Sequence, residues 1–258
     1  MATDPLILVL DEGTTSTRAM LFAPDGAVVG VAQEELRQFY PCPGWVEHDA
    51  AEIWDKTLAC ARKVIAEAGA IDRIACIGIT NQRETIVAWD KVSGAPLHRA
   101  LVWQDRRTAD VCAALKARGM EGHVQTKTGL LLDPYFSATK ASWLIDNVPQ
   151  VRDAAAAGRL ALGTIESWLA FKLTGGAHIS DASNASRTLL MALDEGQWNA
   201  GLCDLFGIPL EALGEVTDCS GLLGEALPEW FGRAIPLTAM IGDQQSATVG
   251  QGCLAPGA

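Results

Sequence analysis

One stretch near the start of the chain carries residue types that suit an anion. Leu6 to Ala23, reading LILVLDEGTTSTRAMLFA, places a carboxylate, a glycine and three consecutive hydroxyls between two strand-like runs. Such runs joined by a tight turn predict a β-hairpin with a polar tip. The glycine lets the backbone approach closely, and amide and hydroxyl groups supply neutral donors. The tip is therefore a candidate phosphate site, although hydroxyls that only satisfy the turn explain the same residues.

Two charged residues flank this tip. Asp11 ends the first strand and is suited to orient a hydrated Mg²⁺ beside phosphates, because Mg²⁺ favours carboxylate and water over a full protein cage. Arg18 adds a fixed positive charge a few residues later. The segment is not a P-loop, since no G-x-x-x-x-G-K sequence follows the strand.

A further carboxylate, Asp243, lies on a predicted strand-to-helix turn beside Gln244 and Gln245. In this position it is a candidate general base for an attacking alcohol. When the transition state is loose, positioning and charge neutralisation supply most of the rate, so an ordinary carboxylate suffices. Asp is equally suited to cap the following helix, and spacing alone does not separate the two interpretations.

Other candidate binding residues follow predicted strands. The run NQRE at 81–84 comes directly after a buried-type strand, where α/β folds place ligand groups. Arg83 offers donors and Glu84 offers acceptors, so together they suit the hydroxyls of a polyol, although a surface ion pair is the simpler interpretation. Trp103 and Tyr135 could present apolar faces to a small CH-rich molecule, or pack in the core.

Composition limits the class of protein. The chain has 258 residues, of which 49% are hydrophobic, enough for one large domain or two small ones. A net charge of −11 argues against a nucleic-acid or acidic-membrane surface. The start lacks the basic residues of a signal peptide, and no apolar run is long enough to span a bilayer. Seven scattered cysteines without a C-x-x-C pair indicate neither a zinc site nor a disulfide framework, so we expect a cytoplasmic location.

The four histidines show no ligand spacing and are expected in loops or on the surface.

The order of predicted elements indicates how these residues are brought together. Three strands precede a helix that begins after Asp49, with Glu52 placed for a capping box, and ends at Gly69. A buried-type strand follows, which gives the order of the ribonuclease-H-like, actin-type ATPase core. Beyond it we predict strands at 85–89, 160–162 and 237–241, helices at 106–118, 137–147 and 165–175, and an irregular segment at 180–188.

Segments along the chain resemble the FGGY family of carbohydrate kinases, in that family's order. They are DEGTTSTR, YPCPGWVEHDAAEIW, IGITNQRET, VWQDRRTA, DPYFSATK, GTIESWL, SDASNASRT and GDQQSA. Family members that act on xylulose or gluconate share the start of the hairpin but lack N-Q-R-E-T. The resemblance implies an α/β, ribonuclease-H-like (actin/hexokinase-type ATPase) domain with a mixed sheet, flanking helices and inserted segments. It would comprise residues 1–252, with 253–258 beginning the connection to a second, ATP-binding domain.

The resemblance also implies an activity and a set of site residues. The activity is transfer of the γ-phosphoryl group of ATP to glycerol, giving sn-glycerol 3-phosphate, with Asp243 as general base. Glycerol would be bound by Arg83, Glu84, Trp103, Tyr135, Asp243 and Gln244. The ATP phosphates would be bound by Thr14, Thr15, Ser16 and Arg18. Mg²⁺ would be held by Asp11, with a possible contribution from Asp243. A homo-oligomer is expected.

The chain also departs from the family's pattern. Glu12 stands where the family usually has Gln, which we expect to add negative charge near the phosphates. Between Gly221 and Pro236 there is no loop of the Gly-Gly-Lys-Gly-Gly-Thr-Arg type, so inhibition by fructose 1,6-bisphosphate is not expected. Ala258 falls where the family's second domain would begin, and we expect the chain alone to be inactive. Another FGGY sugar or polyol kinase, or a non-catalytic actin-like sensor of a small molecule, remain alternatives.

Overall fold

The computed structural model describes residues 4–255 and 257. Its strands, in chain order, are β1 Leu6–Glu12, β2 Ser16–Phe22, β3 Val28–Glu35, β4 Gln38–Phe39, β5 Glu47–His48, β6 Ile74–Asn81, β7 Ile86–Asp90, β8 Ala100–Leu101, β9 Leu160–Thr164, β10 Ile179–Asp181, β11 Met191–Ala192, β12 Gln197–Trp198, β13 Glu215–Thr217, β14 Ser220–Ala226 and β15 Ile235–Gly242.

The helices are α1 Ala50–Ala68, α2 Ala109–Ala117, α3 Glu121–Thr128, α4 Ser137–Asn147, α5 Pro149–Ala156, α6 Ile165–Thr174, α7 Ala182–Ala185, α8 Ala200–Phe206, α9 Pro228–Phe231 and α10 Asp243–Gly250. Short 3₁₀ turns lie at Ile71–Arg73 and Leu210–Ala212. The helices of the described region all fall short of the length and hydrophobicity that a transmembrane span requires.

Within residues 4–255 the larger sheet has six strands, in the order β14-β15-β6-β1-β2-β3. β1, β2 and β3 form an antiparallel meander, whereas β6 runs parallel to β1 and β15 runs parallel to β6. A parallel pair needs a crossover connection, and α1 lies in the one between β3 and β6. The carboxyl ends of β1, β6 and β15 therefore meet at one edge, where Asn81 is paired with both Glu12 and Gly242. The element order along the chain, three strands, a helix and a further strand, is the one predicted for a ribonuclease-H-like core.

Helix α1 begins and ends where the sequence predicts. Asp49 Oδ1 accepts hydrogen bonds from two backbone N–H groups of the first turn, at 2.9 and 3.3 Å, and Gly69 ends the helix with φ +54°. The predicted capping box is wrong in its second half. The Glu52 carboxylate instead accepts a hydrogen bond from the Arg37 N–H at 3.4 Å and pairs with Lys56 at 2.5 Å. The contact with Arg37 holds the segment that precedes the helix against its first turn.

The core of the larger sheet lies on the side covered by α1 and α6. Along β1 the side chains of Leu6, Leu8 and Leu10 are buried while their neighbours are more exposed, as expected for a strand with one covered face. They pack with residues of both helices, including Ile53 and Trp168. Each such side chain stabilises the fold by about 1.5–3 kcal/mol when fully buried.

A second sheet is formed by segments inserted between β6 and β15, together with the short strands that precede α1. Its order is β4-β5-β8-β7-β9, and α4, α5 and α8 pack on it around a separate apolar cluster that includes Leu144, Val151 and Phe206. Trp103 lies in the connection after β8, and Tyr135 lies in the connection before α4. Both residues reach the carboxyl edge of the larger sheet.

Some predicted elements differ from those observed. The helix predicted at 106–118 spans only Ala109–Ala117, and Pro149, expected to follow a helix, also begins α5, since proline is tolerated at a first helical position. Thr164 precedes α6, but its hydroxyl donates to the Glu166 carboxylate at 2.6 Å instead of capping an amide. The segment 180–188, expected to be irregular, contains the end of β10 and helix α7.

Candidate active site

The structure brings all six predicted glycerol-binding residues around one cavity of about 110 Å³. The cavity lies where β1, β6 and β15 end, which is the edge that parallel strands offer to ligands. Its lining comprises Thr14, Gln82, Arg83, Glu84, Trp103, Tyr135, Asp243 and Gln244. The lining also includes Thr14, which the sequence predicts as a phosphate ligand, and Gln82, which is not predicted.

The turn after β6 is buried and tightly constrained. Arg83 is 5% exposed and Glu84 is 1% exposed, so the interpretation of this dipeptide as a surface ion pair is wrong. Glu84 has φ +62°, a left-handed conformation that costs a non-glycine residue about 1–3 kcal/mol. The Ser137 hydroxyl donates to the Glu84 carbonyl at 3.0 Å, and the Thr85 hydroxyl donates to Gln82 Oε1 at 2.9 Å. These contacts hold the strained turn in one geometry.

Arg83 lies between the two carboxylates of the site. Its guanidinium is 3.8 Å from Glu84 Oε1 and 3.6 Å from Asp243 Oδ1, and Nη1 donates to Gln245 Oε1 at 3.2 Å. The stem of Arg83 passes directly over Gly242, where an added Cβ would lie 2.4 Å from Cδ. A glycine at the end of β15 is therefore needed to admit this arginine.

The Glu84 carboxylate has a second partner that sequence reasoning missed. Arg187 Nε donates to Glu84 Oε1 at 2.8 Å, a shorter contact than that of Arg83. The Arg187 guanidinium also lies 5.0 Å from the centroid of the Phe136 ring. Arg187 is 103 residues from Glu84 in the chain, so no local pattern predicts this contact. The polar run SDASNASRT, which contains Arg187, is the one sequence feature that points to it.

Trp103 and Tyr135 form an apolar wall of the cavity. Their rings meet edge to face, with centroids 5.6 Å apart. Trp103 Nε1 donates to Thr14 Oγ1 at 2.9 Å, which joins the wall to the hairpin tip. The Tyr135 N–H donates to Asp133 Oδ1 at 2.8 Å, and burial raises the pKa of the Tyr135 hydroxyl. Tyr135 is therefore neutral near pH 7.

A buried lysine supports the Tyr135 segment. Lys140 is fully buried, and its ammonium donates to the carbonyls of Pro134 and Tyr135 at 2.9 and 2.6 Å. Burial lowers the pKa of Lys140 to about 7. Since an apolar side chain would be cheaper to bury there, the lysine indicates a requirement for a fixed conformation at Tyr135.

Asp243 is the first residue of α10, and Gly242 occupies the cap position. The prediction that Asp243 might serve only as the helix cap therefore does not describe its place, although its Oδ1 accepts from the Gln244 N–H at 2.7 Å. Its side chain is 50% exposed, beside Arg83 at the mouth of the cavity. A carboxylate in this place can accept a proton from a hydroxyl held against Arg83 and Glu84.

The hairpin tip is more open than the cavity. Thr15 and Arg18 are exposed, and Gln33 Nε2 donates to Ser16 Oγ at 3.1 Å. Gln82 connects the tip to the cavity, because its side chain donates to the Gly13 carbonyl at 2.9 Å. The amide and hydroxyl groups of the tip thus lie beside the cavity and remain partly open to solvent.

Asp11 and Asp243 are the candidate ligands for Mg²⁺. Asp11 Oδ2 pairs with Arg18 at 2.5 Å, which leaves its other oxygen free of that contact. Burial raises the pKa of Asp11, and the negative charge of Asp243 adds to the rise. Two carboxylates at this edge fit a hydrated Mg²⁺, which needs only one or two protein carboxylates. Among the described residues no group of three or more His, Cys, Asp or Glu side chains is arranged as a metal cage.

Comparison with known proteins decides the family. The family model described as the N-terminal domain of the FGGY family of carbohydrate kinases matches residues 6–250. The chain belongs to the FGGY family.

Relatives and solved structures agree with this assignment. Glycerol kinases from Alcanivorax borkumensis and Rhodospirillum rubrum are 54% and 53% identical over 255 residues, which is 98% of this chain. The chain spans about half the length of these curated relatives, 51% and 52%. The structure of Plasmodium falciparum glycerol kinase with ADP is similar with a TM-score of 0.91 and 36% identity, over 96% of this chain and 50% of that one. A xylulose kinase from Rhodospirillum rubrum gives 0.88 and 26%, over 98% and 52%. The predicted fold class is thereby confirmed.

Glu12, a departure of this FGGY chain from the usual Gln, has a different consequence from the one predicted. The side chain is fully buried against α1, where the Thr57 hydroxyl donates to Oε2 at 3.1 Å. Burial raises the pKa of Glu12 to about 8, so the group is largely neutral at pH 7. The expectation that it adds negative charge near the phosphates is therefore wrong. Alternation along β1 places Glu12 and Asp11 on opposite faces of the sheet.

Of the histidines, His48 differs from expectation because it is buried in β5, whereas His178 lies in a loop, as predicted. His48 is buried and its Nδ1 lies 3.4 Å from Gln82 Nε2, while His178 Nε2 lies 3.0 Å from the Leu162 carbonyl. Burial lowers the pKa of each to about 4, so both are neutral at pH 7. Because Gln82 donates to Nδ1, the proton of His48 is on Nε2.

Proposed function

We propose that this chain is the polyol-binding half of an ATP-dependent glycerol kinase. The complete enzyme transfers the γ-phosphoryl group of ATP to a terminal hydroxyl of glycerol, giving ADP and sn-glycerol 3-phosphate. The observation that supports this most strongly is the convergence of six predicted residues on one small cavity. The relatives named glycerol kinase, at 53–54% identity across nearly the whole chain, favour the same substrate.

In this proposal glycerol is bound by complementary polar groups. Glu84 accepts hydrogen bonds from one part of the triol, and Arg83 donates to an adjacent oxygen. Because both groups are buried, an analogue that lacks either hydroxyl leaves them unpaired and is rejected. Trp103 and Tyr135 contact the carbon chain. A cavity of about 110 Å³ is well below the roughly 300–1,000 Å³ typical of sites for larger ligands, which favours a three-carbon polyol over a ketose.

Asp243 acts as the general base. The terminal hydroxyl oxygen forms a bond to the γ-phosphorus while its proton passes to Asp243, and the bond from that phosphorus to the β–γ bridging oxygen breaks. The electron pair of this bond leaves with ADP. Positioning and charge neutralisation provide most of the rate in such a reaction.

The hairpin tip holds the phosphates in this proposal. Thr14, Thr15 and Ser16 offer amide and hydroxyl donors, and Arg18 offers a positive charge. Asp11, with Asp243 nearby, would hold Mg²⁺, which supplies neutralisation of the phosphate oxygens. Asp11 and Arg18 are already paired at 2.5 Å, so the guanidinium is held beside the metal position.

The arrangement of the complete enzyme is also part of the proposal. We assign residues 1–252 to the N-terminal domain of the FGGY family and 253–258 to the start of the connection to a second, ATP-binding domain. That assignment is supported by relatives about twice as long as the part they share with this chain. A cytoplasmic location and a homo-oligomeric state complete the proposal.

Titration calorimetry with glycerol, xylulose, gluconate and ribulose tests the substrate. We expect glycerol to bind most tightly, and Arg83→Ala to cost about 1–3 kcal/mol of glycerol binding. Arg73→Ala is a matched control, because Arg73 is distant from the cavity and donates to the Asp4 carbonyl. Preference for xylulose or gluconate would instead indicate another FGGY sugar kinase. Unchanged glycerol affinity in Arg83→Ala would remove Arg83 from the site.

A further inference from the structure

The run Ser180 to Arg187 combines hydroxyls, amides, a carboxylate and a guanidinium, yet its residues are absent from the lining of the described cavity. It forms the end of β10 and all of α7, and α7 packs against β15. Three of its side chains contact the turns that carry the binding residues and the base. The run therefore acts on the site from outside it.

Ser183 contacts the base turn. The Gly242 N–H donates to Ser183 Oγ at 2.8 Å, and Gly242 immediately precedes Asp243. The Ser183 hydroxyl in turn donates to Asp181 Oδ2 at 2.5 Å, and its own N–H donates to the same oxygen at 2.9 Å. Asp181 is fully buried, so the backbone at the end of β15 is linked through Ser183 to a fixed internal carboxyl group.

Asn184 contacts the neighbouring strand end. Its Nδ2 donates to Asp181 Oδ1 at 2.7 Å and to Asn81 Oδ1 at 3.0 Å, and Asn81 Nδ2 returns a hydrogen bond to Asn184 Oδ1 at 3.0 Å. Asn81 also donates to Glu166 Oε2 at 3.1 Å. Asn81 and Gly242 are paired residues at the ends of the adjacent strands β6 and β15. One network thus holds both strand ends.

Arg187 completes the set, since its Nε donates to Glu84 Oε1 at 2.8 Å. The base turn, the end of β6 and the Glu84 carboxylate are therefore all bonded to side chains of one eight-residue run.

The composition of the network argues for a positioning role. Burying two carboxylates, Asp181 and Glu166, among amides is costly, and apolar residues of similar size often stabilise a fold as well or better. Burial, with a smaller contribution from the charge of Asp181, raises the pKa of Glu166 to about 8. Fully bonded polar networks fix a single geometry, and active sites require their groups to be held within about 0.5 Å.

We propose that Ser183, Asn184 and Arg187 are positioning residues of the polyol site, which set the spacing between the Arg83–Glu84 turn and Asp243 without touching the substrate. This inference rests on the proposed function for its substrate, but its contacts are independent of which polyol binds.

Two measurements on Ser183→Ala test the first part of this proposal. We expect glycerol binding, measured by titration calorimetry, to weaken roughly 5- to 30-fold, and amide exchange at Gly242 to accelerate on the order of tenfold. Ser186→Ala is the matched control, because the Ser186 hydroxyl, just after α7, donates to the Ser183 carbonyl at 3.2 Å and to no other group in the described part of the chain. We expect neither measurement to change in that variant.

Arg187→Gln tests the second part and alters a side chain that is partly exposed, at 25%. We expect a similar weakening of glycerol binding, and no further weakening when Arg187→Gln is added to Glu84→Gln, because the arginine acts through that carboxylate. A purely structural role would give additive losses in the double variant.

Failure of this inference is distinguishable from failure of the proposed function. If the unmodified chain binds no glycerol but Ser183→Ala still accelerates exchange at Gly242 and not elsewhere on β15, the positioning role stands and the substrate is wrong. If Ser183→Ala leaves both exchange and glycerol affinity unchanged, the positioning role of Ser183 is overturned.

Discussion

The cavity and the hairpin tip lie side by side at one edge of the sheet, yet they are supported very differently. Around the cavity, Arg83 and Glu84 are almost fully buried and are bonded to groups from several elements. At the tip, Thr15 and Arg18 are exposed, and Asp11 has Arg18 as its ion-pair partner. In the proposed function, groups from several elements of this chain hold the polyol site, whereas the candidate phosphate donors at the tip are exposed.

This difference has a physical consequence for function. A buried site whose groups are held by several elements loses little conformational freedom when its ligand binds, so less of the binding free energy is lost to ordering it. Exposed hydroxyls and an exposed guanidinium remain hydrated, and solvent weakens their attraction for phosphate. Because the relatives of this chain are about twice the length of the shared part, we expect their second half to supply the enclosure.

The largest expected effect comes from the base. In the chain joined to the second half that its relatives have, Asp243→Asn retains the shape but cannot accept the proton. We expect kcat to fall by on the order of 10²–10⁴ with a small change in KM. Steady-state kinetics with glycerol measure this, and Asp146→Asn, on the far end of α4, is a control for the same chemical change. Near-normal turnover would reassign Asp243 to a helix-terminal role.

The next effect tests how closely the cavity is packed. Gly242→Ala places a Cβ 2.4 Å from Arg83 Cδ, so the arginine must move away from Glu84. Overpacking of this kind costs about 1–3 kcal/mol, and we expect a comparable loss of glycerol affinity by calorimetry.

Gly78→Ala is the control for Gly242→Ala. Gly78 lies on the neighbouring strand β6, and its added Cβ would meet only Ala239 Cβ at an ordinary 3.7 Å. If both variants bind glycerol as the unmodified chain does, Arg83 does not depend on the close approach at Gly242.

These predictions also show what sequence could and could not supply. The caps of α1 at Asp49 and Gly69 and the span Ser137–Asn147 depend on local signals, and they were predicted correctly. Arg187, Ser137 and Lys140 were missed, because their contacts with the site depend on how distant segments pack. A sequence pattern identifies residue types but not which carbonyl or carboxylate they meet.

The error at Glu12 has a different cause. Its neighbours in sequence are phosphate candidates, but alternation along a strand puts successive side chains on opposite faces. Applied to β1, with Leu8 and Leu10 facing the core, this rule would have placed Glu12 beside α1 from the sequence alone.

A smaller effect concerns Lys140, whose folded pKa of about 7 is below its ordinary value of 10.5. A lowered lysine pKa means that the folded chain binds fewer protons than the unfolded chain, so wild-type stability falls as the pH decreases from about 10 to about 7. Lys140→Met removes this dependence. We expect the difference in unfolding free energy between the two chains to change by on the order of a few kcal/mol across that range.

Denaturant unfolding at several pH values measures this effect. Lys140→Met also leaves the carbonyls of Pro134 and Tyr135 without a donor, so we expect glycerol affinity to fall several-fold. Lys116→Met, which removes an exposed ammonium, should change stability by less than about 0.5 kcal/mol. A pH-independent difference for Lys140→Met would contradict a buried lysine with a lowered pKa.

The central claim of the proposed function is that buried groups of this chain bind glycerol, whereas the phosphate donors of the hairpin tip are too exposed to bind ATP tightly by themselves. Separate calorimetric titrations of this chain with glycerol and with ATP and Mg²⁺ test it most directly. We expect saturable binding of glycerol at one site, weakened by Arg83→Ala, and no comparable binding of ATP. Tight binding of ATP together with no binding of glycerol would contradict the claim.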